Sequence, residues 1–345
     1  MQEKPESGQL DPFDRKILDV LRREGRIPVT DLARRVGLSK TPCQNRMRRL
    51  QAAGYITGFR AVVDPGKLGL EHIAFVEVKL SDTREAALAA FCGAKHAITC
   101  ANGTDALQLA LMALGVRTGD AVFVPAFTFA ATAEVVPCMG ATPIFVDVMD
   151  STFNMDPDSL RRSIAHARSL GLTPKLVIPV DLFGLPADYL TLSKIAEEEG
   201  LRLISDSAQG FGGVCRGRMT GSFGDITTTS FFPAKPLGCY GDGGAMFTDD
   251  DKLAALLKSL RFHGKGDHKY KHVHIGMNSR LDTIQAAILL EKLEIYPDEI
   301  EARQRVAGRY TDSLGEVIDT PFIGNESQSI WAQYTVKTRS GQDRG

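Results

Sequence analysis

The sequence lacks several features that would place it in a specialised class of proteins. Its six cysteines form no Cys-x-x-Cys pair and several lie in apolar runs, which favours reduced core thiols over a disulfide framework or a metal site. No apolar run approaches the roughly 18 residues that a membrane span needs, and no signal peptide opens the chain. Low-complexity tracts and internal repeats are also missing. These absences predict a cytoplasmic globular protein without a membrane partner or a metal.

The composition is that of an ordinary globular protein, and the charge is unevenly distributed. The 345 residues are 43% hydrophobic and 24% charged, and the chain is long enough for two domains. Residues 1–85 contain 16 basic and 12 acidic side chains, a net charge of +4. The net charge of the whole chain is −1, so residues 86–345 carry a net charge of −5. This asymmetry predicts two parts with different partners.

Three short helices are predicted in the basic N-terminal part. Asp11 followed by Pro12 is typical of a helix start. Thr30 is the predicted cap of a second helix, which Gly37 ends, and a third helix begins after Ser39. Residues 55–63 alternate as a short hairpin would, so they are predicted to form a wing.

The third helix has two different faces. Cys43, Met47 and Leu50 recur at helical spacing and are predicted to be buried. The opposite face carries side chains of the types that reach base edges and phosphates in a major groove: Lys40, Thr41, Gln44, Asn45 and Arg48. The pattern predicts a DNA-binding surface, and the alternative is a basic helical unit that only covers another surface.

Residues 10–70, which begin LDPFDRKILDVLRREGRIPVTDLARRVGLSK, resemble the Lrp/AsnC family of bacterial regulators. The resemblance implies a winged helix-turn-helix that binds DNA. Members of that family continue into an αβ effector domain that binds amino acids and assembles the oligomer. Only the first strand of such a domain, residues 73–80, is expected here before the sequence changes character.

Seven apolar strand patterns follow one another in the acidic part, with helical or glycine-rich connections. They cover residues 97–100, 121–125, 142–148, 176–180, 201–204, 226–231 and 245–248. Strands that alternate with crossovers predict an α/β fold with a mainly parallel sheet, covered by helices on both faces.

An acid, a hydroxyl and an amine follow two of these strands. Asp206 comes after the strand at 201–204, and the next strand is followed by Ser230 and by Lys235 on a proline-flanked turn. A lysine held out of water can form a Schiff base with an aldehyde cofactor, and a carboxylate can keep a pyridine nitrogen protonated. Most lysines and aspartates are solvated surface groups, so the paired context carries the prediction of pyridoxal 5'-phosphate (PLP) chemistry.

An anion site is predicted where the first strand of this part ends. Gly103 and Thr104 open a helix there, and backbone N–H groups at a helix start together with a hydroxyl suit a cofactor phosphate. Ser230 would add a second hydroxyl. The alternative is an ordinary helix cap at Asn102.

Three stretches resemble the DegT/DnrJ/StrS family of sugar aminotransferases: SDSAQGFGG, GSFGDITTTSFFPAKPLGCYGDGGAMFT and KYKHVHIGMNSRLDTIQAAIL. The resemblance implies the large domain of a fold type I PLP enzyme, which transfers an amino group, expected from glutamate, to a keto sugar on a nucleotide. The third stretch most resembles the branch that aminates a 3-keto sugar carried on UDP.

The resemblance also implies roles for individual residues. Lys235 would carry the cofactor and shuttle the proton, and Asp206 would face the pyridine nitrogen. Phe129 would stack on the ring and Gln209 would bond its hydroxyl. Asn278 would reach the cofactor phosphate from the other subunit, so a homodimer is expected.

The predicted organisation is a DNA-binding domain at residues 1–85, a large domain at 86–325 and the start of a small domain at 326–345, with a strand at 331–336. The family's N-terminal segment and most of its small domain are expected to be missing. Three interpretations follow: a sugar aminotransferase fused to a DNA-binding module, a regulator whose second part senses PLP or another ligand, or a mosaic of two partial domains without an integrated function. The first is preferred because the cofactor residues are complete at every matched position.

Overall fold

A computed structural model describes residues 10–59, 61, 67, 83–268 and 270–339. The chain divides into two compact units, Met1–Val78 and Lys79–Gly345. The boundary predicted after residue 85 falls inside a helix of the second unit, Thr83–Cys92. Within the described residues, no helix combines the length and the apolar character that crossing a membrane requires.

The first unit contains three helices, α1 (Pro12–Arg23), α2 (Val29–Val36) and α3 (Lys40–Ala52). The Asp11 side chain accepts a hydrogen bond from the backbone N–H of Asp14 and caps α1, as predicted. The predicted Thr30 cap is wrong, because α2 already begins at Val29, with Pro28 at the N-cap position and no side-chain cap. Gly37 ends α2 in the left-handed conformation at φ 78°.

The core of this unit is a single apolar cluster that the three helices share. Ile17, Leu32, Cys43 and Leu50 are almost completely buried, and Met47 packs against them. The predicted buried face of α3 is therefore confirmed. Of the predicted wing, residues 55–59 form no strand, and residues 60, 62 and 63 lie outside the described part of the chain, as does the predicted strand at 73–80.

The second unit alternates helices and strands. In chain order its elements are α4 (Thr83–Cys92), β1 (His96–Cys100), α5 (Gly103–Ala113), β2 (Asp120–Pro125), α6 (Ala131–Cys138), β3 (Thr142–Val146), α7 (Pro157–Ser169), β4 (Thr173–Val177), α8 (Tyr189–Glu199), β5 (Arg202–Asp206), β6 (Val214–Cys215), β7 (Arg218–Met219), β8 (Ile226–Ser230), β9 (Gly244–Thr248), α9 (Asp251–Leu260), α10 (Thr283–Leu314) and β10 (Ser327–Gln328).

Seven of the strands form one sheet in the order β1-β9-β8-β5-β4-β2-β3. Strand β9 runs antiparallel to both of its neighbours, and the other pairings are parallel. All seven predicted strands are present, and the mainly parallel sheet is confirmed.

Helices cover both faces of this sheet. Side chains alternate along β2, so that Val122 packs with residues of α5, α6 and α9, and Phe123 packs with residues of α7 and α8. The unit is therefore an α/β/α layered structure. This arrangement leaves the carboxyl ends of the parallel strands uncovered by the two helical layers, which is where open α/β sheets bind their ligands.

The predicted strand at residues 331–336 is wrong. Trp331 adopts a left-handed backbone at φ 53°, and the sole pairing in this part of the described chain is an isolated bridge between Lys337 and Asp319. The segment instead crosses residues 183–184: Ile330 N–H donates to the carbonyl of Gly184, and Gln333 N–H donates to that of Phe183. These bonds replace a strand ladder.

Candidate functional site

Seven of the eight predicted cofactor residues line one cavity of about 610 Å³. They are Gly103, Thr104, Phe129, Asp206, Gln209, Ser230 and Lys235. The cavity lies past the carboxyl ends of β1, β5 and β8, where open α/β sheets place their ligands. The eighth residue, Asn278, is not among the lining residues.

Asp206 is the last residue of β5 and is 5% exposed. Its carboxylate accepts hydrogen bonds from the Thr132 hydroxyl at 2.9 Å and from the backbone N–H of Ala208 at 3.1 Å. Burial raises the pKa of Asp206, while these two hydrogen bonds and the positive charge of Lys235 act in the opposite direction. A cationic group placed beside this carboxylate would therefore be stabilised.

Lys235 lies on the turn that follows β8, where its backbone N–H donates to the carbonyl of Phe232 at 2.8 Å. The side chain is partly buried, and this burial lowers the pKa of its amine against the opposing effect of Asp206. The Nζ atom lies 6.0 Å from the centroid of the Phe129 ring. That ring is 67% exposed, so a planar ligand can reach its face from the cavity.

The start of α5 meets the end of β8 at one side of the cavity. The Asn102 side chain caps α5 by accepting from the N–H of Asp105 at 2.8 Å, so the ordinary cap does exist. The cap uses neither the N–H of Gly103 nor that of Thr104, and both remain compatible with an anion. A Cβ on Gly103 would lie 2.7 Å from the Cβ of Ser230, which shows how closely the two segments approach.

The Gln209 side chain has a defined orientation. Its Oε1 accepts a hydrogen bond from the backbone N–H of Phe183 at 2.8 Å. The amide NH2 is therefore the end that can donate to a ligand in the cavity. Phe183 holds a left-handed backbone at φ 59°, a conformation that costs about 1–3 kcal/mol.

Asn278 is next in the chain to a residue that bonds the backbone just before the predicted phosphate site. It forms an isolated bridge with Phe262. The next residue, Ser279, is fully buried, and its hydroxyl accepts from the backbone N–H of Ala101 at 3.0 Å. The role of Asn278 toward a second subunit stays a prediction.

Several lining residues were not predicted from the sequence: Thr128, Thr132, Asp242, Ala332 and Gln333. Thr132 lies in the first turn of α6, directly after the segment that carries Phe129. Ala332 and Gln333 reach the cavity only through the crossing at residues 183–184, and no local pattern indicates that crossing.

The predicted DNA-binding residues share the outer face of α3. Lys40, Thr41, Asn45 and Arg48 are exposed, and Gln44 is half-buried. Two neighbouring arginines of α3 form ion pairs instead: Arg46 bonds Asp11 and Asp14, and Arg49, whose side chain remains 60% exposed, bonds Asp14. In the described part of the chain, no group of three or more His, Cys, Asp or Glu side chains could hold a metal ion.

Residues 10–57 match the sequence model for winged helix-turn-helix DNA-binding domains, so the chain has such a domain at its N-terminus. The finer resemblance to the Lrp/AsnC family stays a prediction.

The second unit is similar to sugar aminotransferases. A protein of Pseudomonas aeruginosa named UDP-2-acetamido-2-deoxy-3-oxo-D-glucuronate aminotransferase is 50% identical over 251 residues, 72% of this chain and 68% of that protein. A crystal structure of a DegT/DnrJ/EryC1/StrS aminotransferase from Brucella abortus is 48% identical, has a TM-score of 0.74 and is matched over 87% of this chain and 77% of that one.

A further solved structure, NtdA from Bacillus subtilis with the bound cofactor PMP, is 33% identical with a TM-score of 0.68, over 75% of this chain and 58% of that one. Residues 75–344 match the sequence model of the family itself. By this match, and by its identity to the Pseudomonas protein, the chain belongs to the DegT/DnrJ/EryC1/StrS aminotransferase family.

Proposed function

We propose that the second unit is a PLP-dependent aminotransferase that aminates the 3-keto group of a sugar carried on UDP. The observation that carries this proposal is the convergence of a buried acid, a partly buried amine, a helix start and an exposed aromatic ring on one cavity. The name of the Pseudomonas relative, which is 50% identical, supports the substrate class. Glutamate is the amino donor that we expect.

The residues of the cavity fit PLP in charge and in shape. The absence of a side chain at Gly103 keeps the start of α5 open, so that its N–H groups, Thr104 and Ser230 can hold a phosphate. Asp206 is buried and would pair with a protonated pyridine nitrogen. The NH2 of Gln209 can donate to the ring oxygen, and Phe129 offers its face to the ring.

When bound, the cofactor supplies a carbon that captures amines and a ring that accepts electrons. Because burial lowers the pKa of Lys235, its Nζ is neutral more often than that of an ordinary lysine. A neutral Nζ can accept a proton from the reacting carbon and return it at a later stage. Asp206 would keep the pyridine nitrogen protonated throughout.

The first test is the visible absorbance of the full chain after addition of PLP. We expect a band that borohydride removes and that Lys235→Ala lacks, while Lys258→Ala, a change at an exposed position of α9, retains it. The same preparations are then assayed for amino transfer from glutamate to a UDP-linked 3-keto sugar. An identical spectrum for Lys235→Ala and the unchanged protein would refute the assignment of the amine.

A homodimer with shared active sites completes this proposal. Asn278 does not line the cavity of its own chain, and the preceding loop exposes two large apolar side chains, Tyr270 and Ile275, the latter 91% exposed. Mixing Asn278→Ala with Lys235→Ala subunits would then regenerate one intact site per mixed dimer, or about a quarter of the original activity. A mixture without any recovered activity would exclude a shared site.

We also propose that the first unit binds duplex DNA through α3, because the basic and amide side chains on its outer face are available to the solvent. The affinity should fall with salt by a log–log slope of about −0.9 for each neutralised phosphate. Arg48→Ala should weaken binding, and Arg22→Ala, on α1, serves as the control. Repeating the measurement with PLP tests the regulator interpretation. Binding that responds to neither salt nor Arg48→Ala would refute the assignment of α3.

The cytoplasm is the location that we propose for this chain. All six cysteines are free, and five of them are buried, which suits a reducing compartment.

A further inference from the structure

Behind the cavity, a buried carboxylate that does not line it connects two segments of the second unit. Asp181 follows β4 and is 0% exposed. Its Oδ1 accepts from the backbone N–H of Ala187 at 3.0 Å and from the Tyr189 hydroxyl at 2.6 Å. Its Oδ2 accepts from the Ser207 hydroxyl. Each carboxylate oxygen is therefore used by a different segment of the chain.

The backbone of Asp181 also holds the acid of the cavity. The N–H of Asp206 donates to the carbonyl of Pro179 at 2.9 Å, and the N–H of Asp181 donates to the carbonyl of Asp206 at 3.0 Å. Asp206 is thus fixed on both sides by the chain around Asp181. The side-chain bond to Ser207 fixes the residue that follows Asp206.

The same segment holds the amide of the cavity. Phe183, two residues after Asp181, donates its N–H to Gln209. Gly210 lies so close that an added Cβ would be 2.2 Å from the Cβ of Asp181. Residues 205–210 therefore wrap around the Asp181 side chain, and Asp206 and Gln209 extend from this turn to the cavity.

A carboxylate is better suited to this position than its amide. The N–H of Ala187 is a donor that cannot change its role, and it occupies one oxygen. An asparagine could accept this bond only with its amide oxygen, so that its NH2 would face Ser207. The Ser207 hydroxyl would then have to accept a hydrogen bond instead of donating one. Burying a charged group is costly, and three hydrogen bonds offset part of that cost.

We propose that Asp181 is a positioning residue that sets the orientation of Asp206 and Gln209 toward the cofactor ring. This inference rests on the proposed PLP function. Asp181 has no access to the cavity, so it acts only through the turn at residues 205–210. Side chains that hold a reacting group need to be placed to within about 0.5 Å. The ladder between β5 and β8 ends at Asp206, so the rest of the turn depends on other contacts for such placement.

The test compares PLP binding by full-length variants, measured from the visible band at about pH 8. This pH lies above the pKa of Asp181, which burial raises to about 7, so that the charged form is favoured. Asp181→Asn and Ser207→Ala both alter the bond that reaches the turn. We expect each to weaken PLP binding about tenfold, the effect of one hydrogen bond to a charged group, and to shift the band maximum.

Two variants separate positioning from simple stability. Tyr189→Phe removes a bond on the other oxygen of Asp181 and a contact with the hydroxyl of Ser205, which the ladder between β5 and β8 still holds. We expect it to lower thermal stability without shifting the band. Asp120→Asn alters a buried carboxylate at the amino end of β2, far from the cavity edge of the sheet, where it accepts from the N–H of Arg117 at 3.0 Å. We expect its PLP affinity to be unchanged.

A Ser207→Ala protein that binds PLP with the original affinity and band maximum would overturn the proposal, even if Asp181→Asn fails to fold. The proposal would also be overturned if Ser207→Ala and Tyr189→Phe lost PLP affinity only in proportion to the stability that each variant loses. If the unchanged protein shows no PLP band, the proposed function fails and this inference fails with it. Both the band and catalysis by the unchanged protein are therefore measured first.

Discussion

Replacing Gly103 with alanine should damage the predicted phosphate site while leaving the fold intact. Gly103 is the first residue of α5 and does not have a left-handed backbone, so an alanine can adopt its conformation. The added Cβ, however, would lie 2.7 Å from the Cβ of Ser230 and 3.4 Å from its Cα. Rotation of the serine side chain cannot relieve this contact, because the backbone fixes the position of a Cβ atom.

The size of the effect follows from that distance. Ordinary contact begins at about 3.4 Å, so the start of α5 and the end of β8 must separate by about 0.7 Å. A hydrogen bond of about 2.9 Å to a phosphate would lengthen to about 3.6 Å, which is no longer a hydrogen bond. Loss of one such bond to a charged group corresponds to about 1.5–3 kcal/mol, or roughly a 10- to 150-fold weaker Kd for PLP.

The assay is a PLP titration of the apo full-length chain, followed by visible absorbance, together with a thermal melt. The matched control is Gly308→Ala in α10, where an added Cβ meets nothing within 4 Å. We expect the control to keep its PLP affinity and to gain up to about 1 kcal/mol of stability. A Gly103→Ala protein that binds PLP within threefold of the original Kd would falsify the assignment of α5 and Ser230 as the phosphate site.

Three further predictions concern other parts of the chain. Asp14→Ala should destabilise the first unit by about 2 kcal/mol, since a buried carboxylate that bonds two arginines is lost. The exposed Asp19→Ala should cost less than about 1 kcal/mol. Hydrogen exchange of α1 and α3 in the full chain measures both losses of stability, and equal losses would contradict the reasoning. Phe129→Leu should weaken PLP binding about three- to tenfold through lost ring stacking, and unchanged binding in the same titration would count against that contact. Because the pKa of Lys235 is lower in the folded apo protein, the unfolded state binds more protons between that lowered pKa and 10.5, and the free energy of unfolding should rise with pH over this range. In urea melts, Lys235→Met should remove this part of the rise. A variant that keeps the original slope against pH would refute the lowered pKa.

Some of the cofactor residues could be predicted because they belong to local patterns with a physical meaning, whereas Phe129, Gln209 and Asn278 followed only from the family resemblance. Asp206 and Ser230 stand at the ends of apolar strands, and the carboxyl ends of parallel strands meet at one edge of a sheet. Gly103 stands at a helix start, and Lys235 follows on a proline-flanked turn. The three helices of the first unit were predicted for similar reasons, except for the start of α2, where Pro28 and not Thr30 is the cap.

The sequence alone determined the layered α/β architecture, the split into a basic and an acidic part, and the set of residues that line the cavity from strand and helix ends. Only the tertiary structure decided which backbone groups hold them. The bond from Phe183 to Gln209, the support of Asp206 by Asp181 and the arrival of Gln333 at the cavity all join segments that are distant along the chain. The directions of such contacts depend on left-handed residues and on close backbone approaches, which hydrophobic periodicity does not encode.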